Sequence, residues 1–204
     1  MSDNLHTRKK GKNFSANNLG QRRASDLYQT HYSMVVQLLD RVAGHLPRSI
    51  LEPAQGGGAI VRVLEAHGYE VTAYDREVNF LTDTRPFHTI ITNPPFSMAL
   101  DFILQAKRIS TQFFFLLPLA YLHGKERLDR IYVDTTFPLR EVMVFARYPM
   151  LGAVLREDGK YPTGMMVYAW YWFDKAHVGP ASISWIDNQP FILGKADLKS
   201  ESDE

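Results

Sequence analysis

Apolar positions along the chain follow two periods. Between residues 32 and 46, Val35, Val36, Leu38, Leu39 and Val42 recur at the three- and four-residue spacing that gathers them on one helical face. Residues 49–54 form a short strand-like run, followed directly by Gln55-Gly56-Gly57-Gly58. Helical spacing returns over residues 59–67 through Ile60, Val61, Val63 and Leu64, and Gly68 stands where a glycine usually ends a helix. The same reading predicts strands over 70–75, 89–92, 112–122, 141–148 and 165–173, and helices over 98–109 and 124–133.

Strand, glycine loop, helix, strand, repeated, is the grammar of a mostly parallel α/β sheet with helices on its faces. The last two strands flank a loop over residues 149–164 and predict a C-terminal antiparallel hairpin. Residues 27–194 read as one domain between two polar ends. Residues 1–26 carry Arg8, Lys9, Lys10, Lys12, Arg22 and Arg23 among Asn, Ser and Gly, the composition of a flexible basic arm. Residues 195–204 form a polar tail.

Composition narrows the chemistry. The 45% hydrophobic and 12% aromatic content suffices for an ordinary core in a chain of 204 residues. With 23 Lys and Arg against 22 Asp and Glu, any attraction to nucleic acid must be local, as in the basic arm. Zero cysteines exclude disulfides, thiolate metal sites and cysteine nucleophiles. The histidines show no paired ligand spacing, so no metal is expected, and no Gly-x-Ser-x-Gly marks a hydrolase. The N-terminus lacks the apolar segment of a signal peptide, and no run of about 18 apolar residues occurs. The expectation is a cytoplasmic protein without a membrane partner.

The glycine loop sits between a strand and a helix, where glycine lets the backbone turn sharply and a ligand approach closely. Lacking Gly-Lys-Ser or Gly-Lys-Thr, it is not a nucleotide-triphosphate loop. Asp75 ends the next strand, where a carboxylate can accept both hydroxyls of a ribose. The third glycine of a dinucleotide fingerprint is missing: Ala59, Ile60 and Val61 stand there. Glu52, before the glycines, would repel a pyrophosphate and welcome a cation. S-adenosylmethionine carries an ammonium and a sulfonium, and charge therefore favours it.

Residues 89–92 run into Asn93-Pro94-Pro95-Phe96 at the carboxyl end of a strand, where open α/β sheets hold ligands. Two prolines stiffen the loop and leave its carbonyls as acceptors; the Asn93 side-chain oxygen adds another. Such a set can clamp a planar amino group while Phe96 stacks on its ring. The plainer reading is a proline-rich connection with Phe96 in the core.

Glu52-Pro53-Ala54-Gln55-Gly56-Gly57-Gly58, Asp75 and Asn93-Pro94-Pro95-Phe96, in that order, resemble motifs of class I S-adenosylmethionine-dependent methyltransferases that act on exocyclic or amide nitrogens. Most similar are the small phage and prophage-type DNA adenine methyltransferases. Residues 27–32 resemble the family's N-terminal cofactor motif, with His31 where proline is common, and Asn79-Phe80-Leu81 resembles its Asp-Phe-Leu element. The stretches 114–127, 147–149 and 168–174 resemble the group's downstream strands.

The resemblance implies a Rossmann-like methyltransferase sheet, with the helices between Asp75 and Asn93 reduced because that interval is short. It implies S-adenosylmethionine as cofactor, held by Tyr28, Thr30, Glu52, Pro53, Ala54, Gly56, Gly58, Asp75, Asn79 and Phe80. Catalysis would fall to Asn93, Pro94, Pro95 and Phe96, and the reaction would be methylation of adenine N6 in DNA. Lys9, Lys10, Arg22 and Arg23 of the arm, with Arg147, Arg156 and Lys160 around the late hairpin, are the candidate nucleic-acid contacts, and Arg140 is grouped with them. Trp170, Tyr171 and Trp172 alternate along a strand, one face for the core and the other a candidate pocket wall. Adenine in RNA and glutamine in protein are rival substrates. A non-catalytic nucleic-acid-binding module on a vestigial fold is a rival of another class. Recognition sequence and oligomeric state are not encoded in any motif.

Overall fold

The computed structural model describes residues 30–74, 79–146 and 167–187. The basic arm, Tyr28, Asp75, Arg147, Arg156, Lys160 and the polar tail lie outside the described residues.

Seven strands form one sheet: β1 Ser49–Glu52, β2 Glu70–Ala73, β3 Thr89–Thr92, β4 Gln112–Pro118, β5 Leu139–Phe145, β6 Tyr168–Asp174 and β7 Ser182–Ile186, in the order β2-β1-β3-β4-β6-β5-β7. The pairs from β2 to β4 are parallel, and β6 is antiparallel to both β4 and β5. Because β6 inserts between them, β5 and β7 run with the rest, and β6 is the reversed strand of the hairpin. This is the predicted class: a mostly parallel, Rossmann-like sheet with an antiparallel hairpin.

Helices α1 (Tyr32–Val42) and α2 (Ala59–Ala66) cover one face, and α3 (Ala99–Ile109) covers the other. Strand pleating distributes the core accordingly. Phe114 and Leu116 of β4 pack with Met34, Leu38, Ile60 and Leu64, while Phe113, Phe115 and Leu117 pack with Phe102, Ile103 and Ile131. Burial on both faces explains why Gln112 to Leu117 reads as an unbroken apolar run after its first residue.

Several elements differ from the sequence reading. The strand predicted over 112–122 stops at Pro118, and Leu119–Leu122 wind into a 3₁₀ turn. The helix predicted over 124–133 is one α-turn, Lys125–Arg127, continued by a π-helical turn, Leu128–Tyr132. Strand β7 escaped the pattern, since it is short and its outer residues Ile183 and Trp185 are exposed. All three residues of Trp170-Tyr171-Trp172 are core, because β6 lies between two strands with both sheet faces covered. None of them walls an open pocket.

Between β2 and β3 the described chain holds only the 3₁₀ turn Phe80–Thr82. The buried Gln105 amide of α3 fastens it, donating to the Phe80 carbonyl at 3.1 Å and the Asp83 carbonyl at 2.6 Å. Tyr74 donates to the Asp83 carboxylate, which Arg85 also bonds. The bonds from Arg85 and Tyr74 hold Asp83 below the usual carboxylate range, while burial, and then the neighbouring Asp83, push the Tyr74 hydroxyl up to about 12. Polar clamps thus replace a packed helix in a short connection.

Candidate active site

Strand β1 has β2 on one side and β3 on the other. The chain after β1 runs out to β2 and the chain after β3 runs the other way to β4, and the crevice beyond the carboxyl ends of β1 and β3 is where such sheets hold ligands. Glu52 ends β1 there, and Thr92 ends β3.

Glu52 is fully buried. Its Oε1 accepts from the Ala54 amide at 2.8 Å and from the Thr92 hydroxyl at 2.6 Å. Oε2 is buried without a hydrogen-bond partner among the described residues. Desolvation pushes the carboxyl up to about 8, outweighing the opposing pull of the two hydrogen bonds. A positively charged donor would satisfy Oε2 and restore the carboxylate.

The glycine loop turns sharply beside it. Gly56 and Gly58 have φ of 51° and 75°, and the Gly58 amide donates to the Gln55 carbonyl at 2.7 Å. The Arg62 guanidinium donates to the Gly57 carbonyl at 2.8 Å, and a Cβ on Gly58 would lie 3.2 Å from it. Pro53 is buried, Ala54 half-buried and Gly56 exposed, so the loop presents bare backbone to the crevice.

Asn93 follows β3 directly. Its Nδ2 donates to the Thr30 hydroxyl at 3.1 Å, and Thr30 is itself buried. In this arrangement the Asn93 Oδ1 is the end of the amide left to accept. Sequence reasoning assigned Thr30 to the cofactor; the structure places it against Asn93. His31, the departure from the family's proline, caps α1 by accepting from the Ser33 amide. Pro94 is buried and Pro95 half-buried. Phe96 is half-buried, its ring 5.7 Å from that of Tyr168.

Two candidate cofactor residues have structural duties. Asn79 Oδ1 accepts from the Leu81 amide at 3.0 Å and caps the turn that follows. Phe80 is 2% exposed and packs on Phe102 with ring centroids 4.9 Å apart. Arg140, grouped in the sequence with possible phosphate contacts, lies at the opposite end of the sheet. There its guanidinium bonds Asp174 at 2.8 Å and covers the Trp172 ring at 3.9 Å. Among the described residues, no three His, Asp or Glu side chains converge on a metal-sized site, and no helix is long and apolar enough to cross a membrane.

Three solved structures show what this architecture resembles. A Listeria monocytogenes protein, provisionally assigned as a class I S-adenosylmethionine-dependent methyltransferase, is 15% identical, with a TM-score of 0.53 over 78% of this chain and 66% of that one. A 23S rRNA methyltransferase is 12% identical, with a TM-score of 0.51 over 72% and 69%. The magnesium protoporphyrin IX methyltransferase of Synechocystis, with S-adenosylmethionine bound, is 11% identical, with a TM-score of 0.51 over 71% and 79%. The fold is that of the class I methyltransferases. No protein-family model and no curated protein matches the chain.

Within that fold, sequence reasoning missed the residues that hold the site's parts together. Thr92 and Gln105 carry no motif, and their duties depend on partners distant in the chain.

Proposed function

We propose that the protein is an S-adenosylmethionine-dependent methyltransferase acting on the exocyclic N6 amine of adenine in DNA. One observation carries the reading. The cation-seeking Glu52 carboxyl and the Asn93-Pro94-Pro95-Phe96 segment leave adjacent strands at the same crevice, and the Thr92 hydroxyl joins them.

The buried Oε2 and the bare glycine backbone fit a cofactor with a charged amine, and the sequence pattern gives its ribose to Asp75. When bound, S-adenosylmethionine supplies a methyl group on a positively charged sulfur. Glu52 anchors the amine by exchanging its own proton for the ligand's charge. Asn93 and the Pro94 carbonyl accept the two hydrogens of the target amine, which leaves the nitrogen lone pair aimed across the crevice. Alignment supplies most of the catalysis, and the surplus proton of the methylated amine leaves to solvent. Pairing in a duplex hides this amine, so the base must be flipped out and held on Phe96.

Adenine in RNA is the second reading, favoured by the likeness to a 23S rRNA methyltransferase. The basic arm serves either polymer. Incubating the protein with methyl-labelled S-adenosylmethionine and unmethylated DNA or RNA, then digesting to nucleosides, separates the readings. Label in N6-methyldeoxyadenosine is expected. Label confined to ribonucleosides would transfer the assignment to RNA.

A further inference from the structure

The end of the sheet opposite the crevice holds a hollow of about 470 Å³, within the size range of ligand sites. Gln112 opens β4 there, paired with Thr89 at the start of β3 and with Asp174 at the close of β6. His45, His88, Thr111 and Lys175 stand around it.

The carbonyls and the carboxylate of this wall are already engaged within the protein. The His88 carbonyl accepts from the Thr111 amide at 3.2 Å, the Gln112 amide at 3.1 Å and the Thr111 hydroxyl at 2.9 Å. The Thr111 carbonyl accepts from the Lys175 amide at 3.0 Å. Asp174 is the one acid among the described lining residues. Its Oδ1 accepts from the Ala176 amide at 2.9 Å and its Oδ2 from Arg140 at 2.8 Å, so its charge is matched and both oxygens are occupied. Arg140, grouped in the sequence with phosphate contacts, here neutralises the acid.

The groups left over are donors. Gln112 Nε2 donates to the His45 carbonyl at 2.7 Å and to the Thr89 hydroxyl at 2.9 Å; the carbonyl can only accept, which fixes the orientation of the amide. Thr89 is fully buried, and its own proton has His88 Nδ1 as acceptor at 3.0 Å. Neutral His88 therefore carries its proton on the outer nitrogen, Nε2. The Lys175 side chain is exposed and makes no ion pair or hydrogen bond among the described residues. A wall with its acceptors filled and an imidazole N–H and an ammonium unspent suits an anion.

We propose that this hollow is a second binding site, one that takes a phosphate group on His88 Nε2 and the Lys175 ammonium. It lies at the far end of the sheet from Glu52 and Asn93, so failure of this site or of the methyl-transfer reading leaves the other standing.

The test is NMR of the histidine rings in the full chain, titrated with inorganic phosphate against chloride at matched ionic strength. Saturable shifts are expected at His45 and His88 and not at the other five of the seven histidines. Lys175→Ala, and His88→Ala read at His45, should each weaken phosphate binding about tenfold or more while S-adenosylmethionine affinity stays at the parent's value. Lys175 is exposed, so its variant tests the site without disturbing the core. Shifts that do not saturate, that spread over all the histidines alike, or that keep the parent's affinity in either variant would overturn the proposal. A second arm identifies the source of the phosphate, by fluorescence anisotropy of duplex DNA over a salt series. A salt slope lower by about one in Lys175→Ala marks a phosphate of the nucleic-acid backbone, and an unchanged slope marks a free one; either supports the site.

Discussion

The Thr92 hydroxyl donates to Glu52 Oε1 at 2.6 Å, tying the last residue of β3 to the last residue of β1 inside the core. Glu52 and the segment that presents Asn93 are therefore not independent. A change in the charge of Glu52 acts on the residue immediately before Asn93.

Glu52 makes both stability and ligand binding depend on pH. The folded carboxyl holds its proton up to about pH 8, whereas in the unfolded chain it ionises near 4.5. The unliganded protein should lose stability as pH rises from about 4.5 to about 8, because the unfolded state releases a proton that the folded state retains. Cofactor affinity should move oppositely, rising by up to about tenfold per pH unit toward 8 as the carboxylate becomes available. Thermal melts and calorimetric titrations across this range should show both trends in the parent and neither in Glu52→Gln, which should also bind S-adenosylmethionine at least about tenfold more weakly.

Asn93→Ala should lower the methylation rate by about two or more orders of magnitude while sparing cofactor affinity. Thr30→Val removes the acceptor of Asn93 Nδ2 and should produce a smaller loss of roughly tenfold, acting through the amide's orientation. If the double variant is no slower than Asn93→Ala alone, the two residues act in one chain.

Gln105 is a stability residue with no part in the chemistry. Gln105→Leu should destabilise the fold by about 1 to 3 kcal/mol by stranding the carbonyls of Phe80 and Asp83, as read by denaturant melts. Saturating cofactor should leave the methylation rate near the parent's below the melting range.

How much of this was legible depended on whether a residue's role is local. The glycine turn, the helix after it and the Asn-Pro-Pro-Phe exit from β3 are decided by φ preferences and short-range periodicity, and each stands where the sequence placed it. Strand β4 was legible as buried, but its end was not: Pro118 terminates a run whose apolar character continues through Leu119 and Leu122. The ties made by Thr92 and Gln105 were illegible, because they depend on partners 40 and 25 residues away in sequence. Phe80, a motif position read as a cofactor contact, also belongs to the core, where it packs on Phe102.

The reading of the basic arm predicts a salt effect. The arm and residues 149–164 hold the candidate nucleic-acid contacts, and we expect short or relaxed specificity with affinity mainly from phosphates. Deleting residues 1–24 should weaken DNA binding and flatten its salt dependence, with cofactor affinity retained, as fluorescence anisotropy over a salt series would show. Base-resolved mapping that confined methylation to one site of about six or more fixed base pairs would mean that the late hairpin reads bases.

The central claim is that the crevice between β1 and β3 aligns a nucleobase amine for methyl transfer. Nucleoside mass spectrometry of unmethylated plasmid DNA, incubated with S-adenosylmethionine and either the parent protein or Asn93→Ala, tests it most directly. The account predicts N6-methyldeoxyadenosine with the parent and at most about a hundredth as much with the variant. Equal yields from both proteins, or a cofactor-binding parent that leaves the adenines of DNA and RNA alike unmodified, would contradict it.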